Sequence, residues 1–296
     1  MKGLITHLSL FSGIGGLDLA AEWAGFTTVG QCEWADFPAK VLEKHWPDVP
    51  KWRDIHNLTG EDFCARTGLR TVDVISGGFP CQPFSVAGKQ KGKEDERYLF
   101  PEMLRIISDL KPRFVVGENV PGILRIAASD IVEMLEREGY ECVLFDFEAA
   151  AVGAKHRRER IAFVAHTGGQ GLQGRKQHGT HREGPDSRRP STLGAASERS
   201  YVLFNAKRKG LAECHGQRMG QSEEHQKFES TDSEDVRGWG KRCGTKWPDE
   251  PNVGRVANGV PNRVDRIKAL GNAVVPQQFY PIFLAIADEL KREADE

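Results

Sequence analysis

The sequence predicts an α/β fold: a doubly wound sheet with helices on both faces and a second, smaller, mostly irregular domain. Three observations predict it. Up to about Ala165, short apolar runs alternate with stretches whose apolar residues recur at helical spacing. From Thr167 to about Lys246, apolar residues become sparse and Gly, Gln, Arg, His and Ser dominate. Periodicity then returns in "GNAVVPQQFYPIFLAIADEL" (Gly271–Leu290), which ends in an amphipathic helix that needs a core to cover. The expected organisation is a first domain over residues 1–166, a second over 167–258, and a segment over 259–296 that returns to the first.

In chain order, the strand-like runs are His7–Phe11, Thr27–Glu33, Val72–Gly78, Phe114–Glu118, Cys142–Phe147 and Ile161–Ala165. Leu17–Ala24, Ala35–His45 and Phe100–Leu110 carry the helical spacing between the earlier ones. This alternation implies a parallel sheet, whose ligands bind beyond the carboxyl ends of the strands. The polar stretch that follows holds 15 Lys or Arg against 10 Asp or Glu. "HTGGQGLQ" (His166–Gln173) and "NAKRKGLAE" (Asn205–Glu213) resemble each other faintly. The stretch reads either as a linker without a core of its own or as a functional insert.

Composition bounds the function. The 296 residues carry a net charge of −1 and are 39% hydrophobic, so a sizeable core is available and any basic surface is local. No apolar stretch is long enough to span a membrane, and no charged-then-apolar signal opens the chain. The six cysteines include no CxxC pair, and their spacing suits neither zinc nor a small disulfide scaffold. An intracellular protein with free thiols and no metal is expected.

Several strand ends carry residues suited to chemistry. "LSLFSGIGGLDLA" (Leu8–Ala20) is a strand, a glycine-rich turn and a helix start, where a ligand can approach the backbone near a partly positive helix end. The next strand ends in Glu33, suited to a pair of ribose hydroxyls, and Trp34, suited to a purine face. A surface glutamate and a packing tryptophan are the alternative. Asp54, in "RDI", stands near a later strand end.

In "GGFPCQPFS" (Gly77–Ser85), Cys81 falls where a buried run ends and the backbone must turn. That position favours a thiolate nucleophile over a small buried side chain. "SVAGKQKGKEDERYLF" (Ser85–Phe100) reads as a loop that closes over a substrate. Glu118, at the end of the next strand, would have a raised pKa if half buried and could donate a proton; a turn glutamate is the alternative. Arg158 and Arg160 precede a strand and, two residues apart, would share a face toward a ligand, unless they are only solvated edge charges.

Taken together, FSGIGG, the Glu33–Trp34 pair, Asp54–Ile55, GGFPCQPFS, GENV, RRER and LGNAVVP, in this order, resemble the bacterial and phage DNA (cytosine-5)-methyltransferases over nearly the whole chain. The resemblance implies a Rossmann-like methyltransferase sheet with a target-recognition domain. It implies methyl transfer from S-adenosylmethionine to carbon 5 of cytosine in duplex DNA, leaving S-adenosylhomocysteine. Phe11, Gly13, Ile14 and Gly16 would line the cofactor site, with Glu33 on the ribose, Trp34 on the adenine, Asp54 and Ile55 flanking it, and Leu99, Asn272 and Val274 completing the pocket. Cys81 would be the nucleophile, Glu118 would contact cytosine N3, and Arg158 and Arg160 would hold the base. Gln82, Ser85, Lys89 and Arg97 would contact DNA, and Thr167 to about Lys246 would read its sequence.

A cytoplasmic monomer is expected, in a bacterial or phage-infected cell, with a cognate restriction endonuclease as a possible companion. Alternatives are a tRNA cytosine-5 methyltransferase or an inactive DNA-binding regulator. Ser9 stands where the family commonly has Asp, and Lys155–His156 where Pro-Gln is frequent.

Overall fold

In a computed structural model, residues 4–80, 98–167, 202–206, 215–218 and 261–295 are described. Its first half comprises β1 (Thr6–Leu10), α1 (Gly16–Trp23), β2 (Thr27–Cys32), α2 (Asp36–His45), β3 (Lys51–Trp52), α3 (Gly60–Thr67) and β4 (Val74–Gly77). Then come α4 (Phe100–Leu110), β5 (Phe114–Asn119), α5 (Ile123–Ile126), α6 (Ala128–Arg137), β6 (Tyr140–Phe147) and β7 (Arg160–Thr167). The last described elements are β8 (Val202–Ala206), β9 (His215–Arg218), α7 (Arg263–Asn272) and α8 (Pro276–Asp295).

Among the described residues, the strands form one sheet in the order β3-β2-β1-β4-β5-β7-β6-β8-β9. Strand alternation sends neighbouring residues to opposite faces. Leu8, Leu10, Val115, Ile161 and Phe163 join one core beneath α4 and α6, whereas Val74, Val116 and Ala162 join another beneath α1 and α8. α4 buries Phe100, Met103, Ile106, Ile107 and Leu110, an apolar stripe at helical spacing. In α8 the stripe is Phe279, Phe283, Ile286 and Leu290, laid against Leu17, Ala20 and Ala21 of α1.

The sheet is parallel from β3 through β5 but not throughout, which corrects the all-parallel expectation. β7 inserts between β5 and β6 and runs antiparallel to both. The segment joining β6 to β7 holds only the 3-10 turn Ala149–Val152 and no α-helix of the kind that normally crosses between parallel neighbours. β8 and β9, the described parts of the polar stretch, extend the sheet beyond β6, with β8 parallel to it. β3, at two residues, is too short to show a period. Among the described residues, no helix is long and apolar enough to cross a membrane, and no cluster of His, Cys, Asp and Glu is arranged to hold a metal ion.

Candidate active site

The turn after β1 is left-handed at three positions: Phe11 has φ 52°, Gly13 57° and Gly15 87°. A non-glycine residue there is strained by on the order of 1–3 kcal/mol and persists only where its surroundings over-determine it. Hydrogen bonds supply that determination. The Ser12 amide donates to the Cys32 carbonyl at 3.0 Å and the Gly15 amide to the Ser12 carbonyl at 2.9 Å. The glycines have different reasons to be glycine. A Cβ on Gly15 would collide with the Trp46 ring, and one on Gly16 would stand 2.7 Å from the Val274 carbonyl oxygen. A Cβ on Gly13 would meet nothing within 4 Å, so Gly13 is where the turn opens onto free space.

Glu33, just past β2, closes this space. Its Oε2 accepts the Gly13 amide at 2.8 Å and its Oε1 the Ala35 amide at 2.7 Å. Each oxygen keeps a further lone pair for a ligand hydroxyl. Trp34 is 73% exposed, an unusual state for an indole with no core role. Asp54 accepts the His56 amide at 3.0 Å and its ring Nδ1 at 2.7 Å, and the His56 backbone bond holds the Asp54 carboxyl below its usual range. The next residue, Ile55, is buried. Leu99 is half-buried at the start of α4, and Asn272 is exposed at the end of α7. Open space at Gly13, a carboxylate and an exposed indole beside it are a fit for an adenosyl ligand.

The second cluster lies at the carboxyl ends of β4 and β5. Because β7 is antiparallel, its first residue arrives at this edge, and Arg160 Nε stands 2.7 Å from Glu118 Oε1. Both side chains are nearly buried. At this separation the guanidinium and the carboxylate form a close ion pair. Burial pushes the Glu118 pKa up, opposed by the charges of Arg160 and Arg158. Gly78 lies against this carboxylate: a Cβ there would come within 2.8 Å of Glu118 Oε2. Asn119 fixes the chain nearby. Its Nδ2 donates to the Phe79 carbonyl at 3.3 Å, holding the segment that leads through Pro80 toward Cys81.

Arg158 is placed otherwise than spacing suggests. It lies outside β7 with φ 40°, so the alternation that would give it and Arg160 one face does not apply. Its Nη2 donates to the Gly271 carbonyl at 2.8 Å and also to the Ala273 carbonyl. Burial and the charge of Arg160 lower its pKa. Arg158 thereby fastens the segment bearing Asn272 and Val274, and Gln278 helps by donating to the Arg158 carbonyl at 2.9 Å. Gly16, buried against Val274, packs that same segment rather than facing the open space.

Cys81, Gln82, Ser85, Lys89, Arg97 and the rest of the expected closing loop up to Arg97 lie outside the described residues, whereas its last residue, Phe100, begins α4. Most of Thr167–Lys246 also lies outside the described residues. Sequence reasoning passed over Gly78, Asn119, Gln278, Arg53 and Arg105. Arg105 donates to the carbonyls of Ile55 at 2.8 Å and Leu58 at 2.9 Å. Of these, Arg105 alone stands outside every motif quoted above; Gly78, Asn119, Arg53 and Gln278 lie inside GGFPCQPFS, GENV, RDI and the GNAVVPQQ segment, next to the residues singled out there.

Comparison with known proteins gives a consistent result. The family described as C-5 cytosine-specific DNA methylase matches residues 5–256. Type II methyltransferase M.NgoMIV of Neisseria gonorrhoeae is 36% identical over 168 residues, 54% of this chain and 51% of that protein. Type II methyltransferase M.FnuDI of Fusobacterium nucleatum is 37% identical over 162 residues, 53% of this chain and 45% of that protein. The matched part thus spans about half the length of these relatives. In fold, methyltransferase EhMeth of Entamoeba histolytica superposes with a TM-score of 0.58 at 15% identity, covering 98% of this chain and 99% of its own.

Proposed function

The chain belongs to the C-5 cytosine-specific DNA methylase family, and on that premise we propose that it methylates carbon 5 of cytosine within a specific duplex DNA sequence, using S-adenosylmethionine. The observation that carries the proposal is the nearly buried Glu118–Arg160 pair beside the end of β4, the strand after which Pro80 and Cys81 follow in sequence. The open turn at Gly13, flanked by Glu33 and Trp34, supports the cofactor. Bound S-adenosylmethionine supplies an electrophilic methyl group on a sulfonium and leaves as S-adenosylhomocysteine.

The protein's residues make carbon 5 reactive. The Cys81 thiolate adds to carbon 6 of the cytosine, forming an S–C bond and pushing an electron pair toward N3 and carbon 5. Glu118, whose burial favours the protonated form, holds or donates the proton at N3 as charge grows there. Arg160 stabilises charge at the ring's oxygen from beside Glu118. After the methyl group joins carbon 5, a base removes the carbon 5 proton, the ring double bond re-forms and the thiolate departs. The target must leave the duplex stack first, at a cost of a few kcal/mol.

The polar stretch Thr167–Lys246 would read the DNA, and Gln82, Ser85, Lys89 and Arg97 would contact it near the flipped base. The protein works as a cytoplasmic monomer, paired with a restriction endonuclease where one is encoded beside it. The test is transfer of a labelled methyl group from S-adenosylmethionine to duplex DNA and to tRNA, followed by bisulfite sequencing. Label at cytosine carbon 5 within one DNA sequence is expected. Label in tRNA alone, or none in either polymer, would refute the proposal.

A further inference from the structure

Trp34 has almost no side-chain packing to orient it, since the residue is 73% exposed. Its direction is therefore set by its backbone, and that backbone is held at nearly every polar group. The Glu33 amide donates to the Trp52 carbonyl at 2.9 Å, and the Ala35 amide to Glu33 Oε1 at 2.7 Å. The remaining donors belong to one side chain. Arg53 Nε donates to the Glu33 carbonyl at 3.1 Å, and its Nη2 donates to the Trp34 carbonyl at 2.8 Å and to Asp36 Oδ1 at 2.6 Å.

We propose that Arg53 is a positioning residue for the cofactor, its guanidinium fork fixing the Glu33–Trp34 backbone so that the indole already stands where the adenine will lie. This rests on the cofactor reading above. A role in global stability is a poor account of the contact, because Arg53 and Asp36 are 49% and 85% exposed and an exposed ion pair contributes little. What the fork does is local. A planar, rigid donor set spans two successive carbonyls and a carboxylate at once, which a lysine ammonium on a flexible stem does less well. Without it the turn must be ordered when the ligand binds, and that ordering is subtracted from the affinity.

The test uses the full chain with Arg53→Ala, Arg53→Lys, Trp34→Ala and the Arg53→Ala/Trp34→Ala double variant. S-adenosylmethionine affinity is measured by calorimetry, methylation of duplex DNA by steady-state kinetics, and stability by thermal unfolding without ligand. Arg53→Ala should raise the Kd and the cofactor KM by about tenfold, while kcat at saturating cofactor stays within about twofold. Arg53→Lys should recover part of the loss. In the double variant the two losses should fall short of additive, because Arg53 acts through Trp34. Unchanged affinity in Arg53→Ala, or fully additive losses, would overturn the proposal, as would a fall in melting temperature that accounts for the whole effect. If the parent protein itself binds no S-adenosylmethionine, the cofactor reading fails and this proposal with it.

Discussion

Replacing Asp18 with Asn should stabilise the protein above neutral pH. Asp18 sits in the first turn of α1, directly after the glycine-rich turn, and is fully buried. Its Oδ2 accepts the Ser9 hydroxyl at 2.9 Å and its Oδ1 the Gln31 amide at 2.8 Å. Burial outweighs these bonds and raises the pKa from 3.8 to about 6. A carboxyl whose folded pKa is raised contributes stability that is fully present below 3.8 and lost as pH rises through about 6. At about 1.4 kcal/mol per pH unit, that displacement is worth about 3 kcal/mol.

An asparagine keeps the shape and both contacts, accepting from Gln31 and donating to Ser9, but never carries the charge. Urea unfolding of the parent and Asp18→Asn should therefore give nearly equal stabilities at pH 4 and a variant more stable by up to about 3 kcal/mol at pH 8. His7 cannot mimic this. Its burial lowers the pKa from 6.5 to about 3, so its contribution is present above 6.5 and lost as pH falls, and it is common to both proteins. A variant no more stable than the parent at pH 8, or one weakened equally at both pH values, would refute the reasoning. Asp18 would then be ionised in the fold at no cost, or needed for its charge.

Gly78→Ala places a methyl group 2.8 Å from Glu118 Oε2 and forces the carboxylate aside, so turnover should fall by about tenfold or more with cofactor affinity unchanged, read by kinetics and calorimetry. Normal turnover would mean that the Glu118 position is not critical. Glu118→Gln keeps the reach to a base but loses the acid, and turnover should drop by about 100-fold or more while DNA binding, measured by fluorescence anisotropy, stays within a few-fold. Duplex DNA carrying 5-fluorocytosine at the target should become covalently attached to Cys81 in the presence of S-adenosylmethionine, because fluorine cannot leave as the proton does. Peptide mapping to Cys64 or Cys142, or an adduct with Cys81→Ser, would remove Cys81 from the mechanism.

Much of this protein is legible in the sequence, because it follows from local rules. Strand and helix periodicity identifies most of the sheet, the α4 stripe and the buried face of α8, since burial of one face imposes a period on nearby residues. The turn after Leu10 is legible for the same kind of reason: Gly13 and Gly15 answer to backbone dihedrals set within a few residues. Glu33, Asp54 and Glu118 mark themselves as acids at strand ends.

Tertiary structure alone decides what depends on residues far apart in the chain. The reversal of β7 brings Arg160 to Glu118, and no local period encodes strand direction, since parallel and antiparallel strands alternate alike. The left-handed backbone at Arg158 turns its guanidinium to the carbonyls of Gly271 and Ala273, more than a hundred residues away in sequence. The work of Arg53 and Arg105 is invisible in sequence for a related reason. Besides their carboxylate partners, both donate to backbone carbonyls, which every residue carries and no residue type announces.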